Sequence, residues 1–370
     1  MFGLVDGLVD GLSKNLANSL STWPGVYSLS NLFSPSNLSR VSSLSSLSIA
    51  AFLDYLIGDP VWCLHPVQVM GWFITKYQQV LQQSLPKSLG KDVQNSLERW
   101  AGILLVILLI GSCGLIATGI IWGSIALHPV LGIIVSSVIF ASCLAGRSLR
   151  DAAVVVLAPL GRGELVEARQ VLQGYVGRDT GELSAEEIYR AVLETVTENA
   201  TDGVMAPLFY GLLGIICWGL PGLGMAIAYK AASTLDSMVG YLRPPYIYFG
   251  WSSAKLEDLL TWWPCRLHVL TLAVFSGRPG KVLQICRRDA PQDPSPNSGW
   301  SECVYAAILG VQVGGDNFYQ GVVKSKPLLG NDRQPITEAT IYQALQLTRH
   351  AFLFWLGVGC IGIICQGLFP

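Results

Sequence analysis

Two long runs of apolar residues without any charge follow each other in the N-terminal half of the chain. Residues 101–122 and 126–145 contain no Asp, Glu, Lys or Arg, and a tight His128-Pro129 break lies at the start of the second run. A helix needs about 20 apolar residues to cross about 30 Å of hydrocarbon. The pattern therefore predicts two membrane-spanning helices joined as a tight hairpin, and residues 351–369 predict a third span near the C-terminus.

Two further apolar regions are interrupted by turn-forming residues. Residues 47–74 are broken at Gly58-Asp59-Pro60, and residues 204–228 are broken at Gly219-Leu220-Pro221-Gly222. Each half is short for a span, and irregular backbone persists at membrane depth only where protein or a water-filled cavity satisfies its polar groups. We expect interrupted or re-entrant helices in both regions.

Basic residues flank the uncharged hairpin on both sides. Since Lys and Arg accumulate in cytoplasmic loops, residues 76–100 and 147–200 are both predicted to be cytoplasmic, as a two-span hairpin requires. The segment 229–290 is also rich in Lys and Arg. A single crossing at residues 204–228 would place that segment outside, so a re-entrant hairpin is favoured there over a simple span.

A stripe of acids runs along a helix predicted to begin at Ser184, which forms a capping-box pattern with the Glu three residues later. Glu194 and Glu198 share one face of this helix, and Asp202 extends the stripe to the start of an apolar segment. Carboxylates that enter lipid are costly unless they serve a cation, a substrate or a partner charge. Beside Asn199, they offer the oxygen ligands that Mg²⁺ prefers. The alternative is a solvated helix face.

The composition agrees with a membrane protein, because 51% of the 370 residues are hydrophobic and 13% are charged. An ordinary soluble domain is about a quarter charged. The net charge of −1 offers no basic field for nucleic acid. The nine Cys include no C-x-x-C pair and are interpreted as small buried hydrophobes. Residues 1–45 are rich in Ser and Leu and are predicted to form a weakly ordered extension.

Charged and aromatic side chains are interleaved between residues 229 and 263. Lys230, Asp236, Arg243, Lys255 and Asp258 lie among Trp residues, which is also the pattern of an interfacial aromatic belt with basic side chains at its rim. Asp236 fits that alternative poorly, because it has no adjacent base. Some charged groups of this segment are therefore candidates for a substrate-binding or catalytic site.

The segment 287–321 begins with a turn-rich stretch. Ser295-Pro296-Asn297-Ser298-Gly299 predicts a turn before a helix, where backbone N–H groups are free to meet an anion. A plain loop is the alternative. The sequence has no Walker A pattern and no G-x-G-x-x-G, and no Ser/His/Asp or Cys/His set stands out among its four His.

A set of short strings is distributed, in order, over about residues 50–320. They are Leu53-Asp54, Gly58–Pro60, His65–Val67, Gly177–Thr180, Glu194–Asn199, Asp202-Gly203, Ala206–Tyr210, Tyr229-Lys230, Thr234–Tyr241, Phe249–Trp251, Asp258-Leu259 and Pro294–Trp300. Together these strings resemble the CobD/CbiB family of cobalamin biosynthesis, which is adenosylcobinamide-phosphate synthase. The resemblance leaves out the N-terminal extension, and small departures exist, such as Ser233 where Asn is common and Glu257 where Asp is common.

The resemblance implies an ATP-dependent amide ligation. A propionate carboxylate of adenosylcobyric acid would be joined to the amine of (R)-1-aminopropan-2-ol phosphate, or of ethanolamine phosphate. ATP and Mg²⁺ are implied as the cofactors, and the corrinoid enters as a substrate. The partners implied are these small molecules, membrane lipid and other enzymes of the cobalamin pathway, with no nucleic acid. The expected location is the cell (inner) membrane, with the active site facing the cytoplasm.

Roles for individual residues follow from the same resemblance and the chemistry of their side chains. The expected catalytic residues are Glu194, Glu198, Asp202 and Asp236, and the first three are also the expected ligands of Mg²⁺. The expected substrate-binding residues are Asp59, His65, Arg178, Asn199, Lys230, Arg243, Lys255, Asp258, Ser295 and Asn297.

The fold class predicted is an all-α, polytopic integral membrane protein. It would have a few full spans, interrupted or re-entrant helices and cytoplasmic helical segments. The expected divisions are the extension at 1–45, a membrane-embedded synthase core at 46–323, and a loop with a C-terminal transmembrane helix at 324–370. Two alternatives stay open, a membrane transporter and a scaffold for corrinoid-pathway enzymes.

Overall fold

Helices form most of the described chain, which in this computed structural model comprises residues 35–60, 65–84 and 90–366. The first half contains α1 (Pro35–Leu56), α2 (Pro66–Ser84), α3 (Lys91–Leu127), α4 (Pro129–Ala141), α5 (Gly146–Gly161), α6 (Leu165–Gln173) and α7 (Ala185–Asn199). The second half contains α8 (Ala206–Trp218), α9 (Gly224–Val239), α10 (Tyr246–Phe249), α11 (Trp251–Phe275), α12 (Pro279–Asp289), α13 (Ser298–Leu309), β1 (Gln312–Tyr319), β2 (Val322–Gly330) and α14 (Glu338–Cys365).

Among the described residues, four helical stretches are long and apolar enough to cross a membrane, namely Lys91–Leu127, Pro129–Gly161, Ala185–Trp218 and Glu338–Cys365. An all-α, polytopic membrane protein is thereby confirmed. The sequence predicts three full spans, and the stretch Ala185–Trp218 is an addition to them. It was missed because its polar first half hides the continuity of the helix. Its apolar window is 67% buried inside the protein, so neighbouring helices cover much of it.

The uncharged hairpin forms as predicted from α3 and α4, which pack against each other. His128 joins them, and its Nδ1 atom accepts a hydrogen bond from the backbone N–H of Val130 at 3.2 Å, which caps α4. Pro129 occupies the first turn of α4, where a missing N–H costs nothing.

The first helix differs from the expected N-terminal extension. Residues 35–45 belong to α1, whereas the sequence placed them in the weakly ordered segment; residues 1–34 lie outside the described residues. Helix α1 packs against α4, and the hydroxyl groups of Ser46 and Ser136 are 2.8 Å apart between them. The Ser-rich composition concealed a helix because its small side chains serve close packing against another helix.

The interrupted segment 204–228 turns back on itself. A short 3-10 turn, Leu220–Leu223, links α8 to α9, and these two helices pack together. Gly219 begins the turn with a φ of 67°, a left-handed conformation that glycine adopts without strain. The chain therefore folds back along α8, as a re-entrant hairpin requires. That the segment begins and ends on the cytoplasmic side stays a prediction.

An antiparallel β-hairpin follows α13, where the sequence predicted only helix and loop. Strands β1 and β2 pair with a register irregularity between Val313 and Gly315. Gln320 and Gly321 form the connection, and both have positive φ, as the favoured two-residue hairpin turns require. The hairpin was missed because β1 is short on apolar residues and carries three polar side chains, so its hydrophobic alternation is weak.

Candidate active site

The helix that carries the predicted acid stripe begins with the capping box that the sequence indicates. Glu187 Oε2 accepts from the backbone N–H of Ser184 at 2.7 Å, and the Ser184 hydroxyl accepts from the N–H of Glu187 at 3.2 Å. At its far end α7 widens into a π-turn over Ala200–Met205. A π-turn bonds residue i to i+5, so it inserts an extra residue, and such turns occur frequently at functional sites. Asp202 lies within it.

Glu194, the first acid of the stripe, forms a buried ion pair with Arg178. The second oxygen of Glu194 accepts from the backbone N–H of Gly314 at 2.8 Å, and Arg178 donates to Asn317 Oδ1 at 2.6 Å. Both groups thereby anchor the β-hairpin to α7. Glu194 and Arg178 thus already have partners within the protein. Either residue would have to break these bonds before it could bind a metal ion, bind an anion or act in catalysis.

Glu198, Asp202 and Asp236 are half-buried carboxylates without such partners. Their side chains form no hydrogen bond or ion pair with any residue in the described ranges. Burial, together with the negative charges of Asp258 and Glu198, raises the pKa of Asp236 to about 6. The charges of Glu198 and Asp236 also act on Asp202, so acids from α7, the π-turn and α9 lie near one another; their catalytic role stays a prediction.

Glu257 on α11 joins this group and was not among the predicted site residues. Its carboxylate accepts hydrogen bonds from the hydroxyl groups of Thr261 and Tyr229. Burial raises its pKa to about 7 despite the Thr261 bond, and the charges of Asp236 and Asp258 add to this effect. The sequence signal is the adjacent acid pair at 257 and 258, for which the sequence predicts a role only at Asp258.

Lys326 of β2 brings a cation to the same region. Its Nζ atom lies 2.5 Å from Glu302 Oε1 on α13; the Lys326 side chain is 26% exposed and that of Glu302 is fully buried. Burial lowers the pKa of Lys326, but the charges of Glu302, Glu198 and Glu194 outweigh it and raise the pKa above its ordinary value. Neither Lys326 nor Glu302 was predicted, because no local pattern shows that α13 and β2 place them together.

The predicted turn before α13 is present, but its groups are largely occupied by the protein itself. The Ser295 hydroxyl accepts from the N–H groups of Asn297 and Ser298, at 3.2 and 3.1 Å. Asn297 Nδ2 donates to the carbonyl of Asp258 at 2.8 Å, while its buried Oδ1 has no partner among the described residues. The turn therefore fixes Asp258, and Lys255 lies 3.6 Å from the Asp258 carboxylate.

A second polar group surrounds Asp59 in the break between α1 and α2. Its carboxylate lies 3.1 Å from His65 Nε2 and accepts from the Ser148 hydroxyl at 2.6 Å. Although burial opposes the change, the adjacent His65 ring and the hydrogen bond from Ser148 lower the pKa of Asp59, and the charge of Lys230 contributes. The half-buried side chain of Lys230 forms no hydrogen bond or ion pair within the described part of the chain.

Two predicted substrate-binding residues have local partners instead. Asn199 is exposed, and its amide donates to the carbonyl of Thr195 at 2.9 Å. Arg243 is exposed and its guanidinium carbon lies 4.9 Å from the centre of the Tyr241 ring. These contacts neither require nor exclude a substrate, so both roles stay predictions.

A chain of hydrogen bonds connects the π-turn to α13. The Ser301 hydroxyl donates to the carbonyl of Thr197 at 2.6 Å and lies 2.7 Å from Thr201 Oγ1. His268 continues the chain, with Nδ1 3.2 Å from Thr201 Oγ1 and Nε2 3.1 Å from the Tyr305 hydroxyl. Burial lowers the pKa of His268 to about 3, so the ring is neutral at pH 7. The chain holds the backbone that carries Asp202.

The predicted magnesium ligands do not form a ready-made metal site. No three His, Cys, Asp or Glu side chains in the described ranges are arranged to hold a metal ion. Glu194 is bound to Arg178, which leaves Glu198 and Asp202 of the predicted set. Mg²⁺ is often held by one or two carboxylates together with substrate phosphates, and these two acids suit that arrangement.

The fold and this group of carboxylates define a polytopic helical membrane protein with a half-buried acidic site. A family model described as CobD/CbiB protein matches residues 47–348. The chain belongs to the CobD/CbiB family.

Curated relatives agree with this assignment. A Synechocystis protein named cobalamin biosynthesis protein CobD is 50% identical over 328 residues, covering 89% of this chain and 94% of the relative. A Geobacter metallireducens protein of the same name is 42% identical, covering 80% and 88%. A Salmonella typhi protein named cobalamin biosynthesis protein CbiB is 38% identical, covering 81% and 91%. No solved structure matches the chain.

Proposed function

We propose that this protein acts in cobalamin biosynthesis as an adenosylcobinamide-phosphate synthase. It would join a carboxylate of adenosylcobyric acid to the amine of (R)-1-aminopropan-2-ol phosphate, or of ethanolamine phosphate, with the consumption of ATP. The family membership supports the pathway. The observation that carries the proposed chemistry is that three half-buried carboxylates, Glu198, Asp202 and Asp236, act on one another and have no ion-pair partner among the described residues. The buried carboxylates of Glu194 and Glu302, by contrast, are paired with Arg178 and Lys326.

The reaction explains why such a site needs several acids. A carboxylate resists attack by an amine because it is anionic and has no good leaving group. Transfer of the γ-phosphoryl group of ATP to the carboxylate oxygen gives an acyl phosphate, from which phosphate leaves readily. The amine nitrogen then forms the new C–N bond as the C–O bond to phosphate breaks. The ammonium proton must first pass to a base, and a carboxylate with a raised pKa is suited to accept it.

The residues can be divided between these tasks. We assign proton removal and the electrostatics of the reacting groups to Glu198, Asp202 and Asp236. Lys230, which lacks a partner among the described residues, is assigned to an anionic group of a substrate. The Glu194–Arg178 pair is assigned the task of holding the β-hairpin, and thus Lys326, against the site.

Magnesium is expected to arrive with the nucleotide. When bound, it would neutralise phosphate oxygens, and Glu198 and Asp202 are the residues whose chemistry fits it. The proposed location is the cell membrane, with the site open to the cytoplasm, where ATP is available.

The first prediction tests the assignment of the acids. Glu198→Gln and Asp202→Asn each keep the size of the side chain and remove its charge and basicity. With adenosylcobyric acid, aminopropanol phosphate and MgATP, we expect detergent-purified variants to form adenosylcobinamide phosphate about 10²-fold more slowly than the parent, as for loss of a general base. Membrane insertion should be unchanged, and Glu186→Gln, an exposed acid of α7, is the matched control.

Three outcomes separate the candidate functions. If both variants turn over near the parental rate at saturating MgATP, the acids form a solvated face and the assignment is wrong. If the parent itself does not ligate but moves a corrinoid across a vesicle membrane, the protein is a transporter. Binding to other pathway enzymes with neither activity would identify a scaffold.

A further inference from the structure

Glu302 presents an unsatisfied oxygen inside the protein. The residue is 1% exposed, and its Oε1 atom is bound to the Lys326 ammonium at 2.5 Å. Its other oxygen, Oε2, is buried and has no hydrogen-bond partner among the described residues. A buried acceptor without a donor is costly, so native proteins rarely leave one in place without a reason.

The surroundings of Glu302 indicate which kind of group would satisfy it. Glu198, whose carboxylate also lacks a partner in the described chain, is close enough for its charge to act on Glu302. Glu302 Oε2 and the Glu198 carboxylate are both hydrogen-bond acceptors, so a ligand that satisfies them must supply hydrogen-bond donors. Because both groups are acidic, a positively charged donor suits them. An ammonium group is compact and offers three N–H donors, and Lys326 already shows an ammonium on the neighbouring oxygen of the same carboxylate.

We propose that Glu302 Oε2 and Glu198 together bind the primary ammonium group of an aminoalkyl phosphate, and that Lys326 keeps Glu302 in position. This inference rests on the proposed function and names the part of the site that receives the amine.

The same placement would prepare the amine for reaction. The ammonium nitrogen transfers one proton to a carboxylate oxygen and keeps the freed electron pair, which then forms the C–N bond as phosphate leaves the acyl carbon. Burial raises the pKa of Glu302 well above its ordinary value, and although Lys326 opposes this, the charges of Glu198 and Glu194 reinforce it. Such a carboxylate is a stronger base than an exposed one and suits the transfer.

The test compares two ligands that differ only at the nitrogen. Ethanolamine phosphate and 2-hydroxyethyl phosphate would be titrated by calorimetry into the detergent-purified full chain with MgATP. We expect the parent to bind the amine roughly tenfold or more tighter than the hydroxyl analogue, as for a charge-assisted hydrogen bond. Glu302→Gln should remove this preference and leave the affinity for 2-hydroxyethyl phosphate nearly unchanged.

Two further variants make the comparison decisive. Glu186→Gln removes one exposed acid of α7 and should keep the parental preference. If Glu302→Gln does not fold, Glu302→Asp carries the test, because a shorter carboxylate that keeps its charge should reduce the preference severalfold. A parental preference retained in either Glu302 variant would overturn the proposal.

The same measurements separate a failure of the ammonium site from a failure of the proposed ligase function. If the parent ligates the aminoalkyl phosphate but binds both ligands equally, the ammonium site is wrong and the proposed function stands. If the parent neither binds nor ligates it, the proposed function itself fails, and the ammonium site fails with it.

Discussion

Glu257 is a buried acid that forms no ion pair with any described base, and its neighbours are further acids. Hydrogen bonds from Thr261 and Tyr229 compensate only one of its oxygens. Since its folded pKa is about 7, the group is partly protonated near neutral pH, unlike an exposed Glu. The protonation of the site is therefore expected to change within the physiological range.

The second prediction uses this shift. The pKa of Glu257 rises from 4.5 to about 7 on folding, so the folded state binds more protons between these values. The free energy of unfolding should then fall as pH rises through this window and level off above about pH 7. Thermal unfolding in detergent between pH 4.5 and 8 should show this fall, and Glu257→Gln should flatten it.

Asp236, with a pKa of about 6, should leave a residual slope in that variant. Glu182→Gln, which removes an exposed acid, is the control and should follow the parental curve. An unchanged curve for Glu257→Gln would mean that Glu257 is already ionised throughout the range.

Not every site residue could be found from single-residue chemistry. Glu198, Asp202 and Asp236 were identified because acids beside apolar segments are costly without a purpose. Glu302 lies in an apolar helix as well, but its partner Lys326 is 24 residues away on an unpredicted strand. A charge pair across such a distance leaves no periodic signal, so only the fold could show it.

At the scale of elements, the π-turn after α7 is held by hydroxyl groups rather than by its own helix alone. The Ser301 hydroxyl donates its single proton to the carbonyl of Thr197, so the hydrogen bond between Ser301 and Thr201 must be donated by Thr201. Thr201 Oγ1 can then only accept from His268 Nδ1–H, which leaves His268 Nε2 to accept from Tyr305. Tyr305 has a proton for Nε2 only when Thr348, whose hydroxyl lies 2.6 Å from the Tyr305 oxygen and 3.0 Å from the carbonyl of Ala344, donates to Tyr305.

The third prediction is the tautomer of His268. We expect the neutral form protonated at Nδ1, with no titration above about pH 4, because burial lowers its pKa to about 3. Nitrogen NMR of ring-labelled protein in detergent would show it, with His268→Gln used for assignment. Tyr305→Phe should remove the donor to Nε2 and shift that resonance, whereas Tyr342→Phe on α14 should not. Titration near pH 6.5 would contradict the buried chain.

The turn between α8 and α9 depends on two glycines at a close approach. A Cβ added to Gly222 would lie 2.0 Å from the carbonyl oxygen of Gly214, and the reverse substitution meets the same obstacle. Neither backbone can move far, because the Thr118 hydroxyl of α3 also binds the carbonyl of Pro221 at 3.1 Å. The helix pair therefore has no space for any side chain there.

The fourth prediction follows from this contact. Gly222→Ala should lower the free energy of unfolding by about 1–3 kcal/mol or more, as for overpacking of a core. Thermal unfolding of the purified protein would measure it. Gly119→Ala on α3 is the control, because no heavy atom lies within 4 Å of its added Cβ. Equal stability of both variants would show that the turn is looser than described.

At the scale of the whole molecule, the fifth prediction concerns the sides of the membrane. Cysteines introduced at the exposed positions Arg162 and Arg243, in a chain without native cysteines, should react with a membrane-impermeant reagent from the same side. Leu127 at the end of α3 is 80% exposed, and a cysteine there should react from the opposite side. The reason is the basic residues that flank both the hairpin and the segment 204–228.

If cysteines at positions 127 and 243 react from the same side of the membrane, the segment 204–228 is a simple span. The side of the acidic site would then have to be reassigned, since α9 and α11 follow that segment directly.

The sequence by itself determined the membrane character, the α3–α4 hairpin and the capping box of α7, and it singled out the candidate acids at 198, 202 and 236. These features are local, because hydropathy, helical spacing and capping act over a few neighbouring residues. Only the tertiary structure decided that Glu194 is bound to Arg178, that residues 312–330 form a β-hairpin, and that Lys326 meets Glu302. Such pairings depend on how distant segments pack, and burial and charge at one residue are set by neighbours that its own stretch of sequence does not contain.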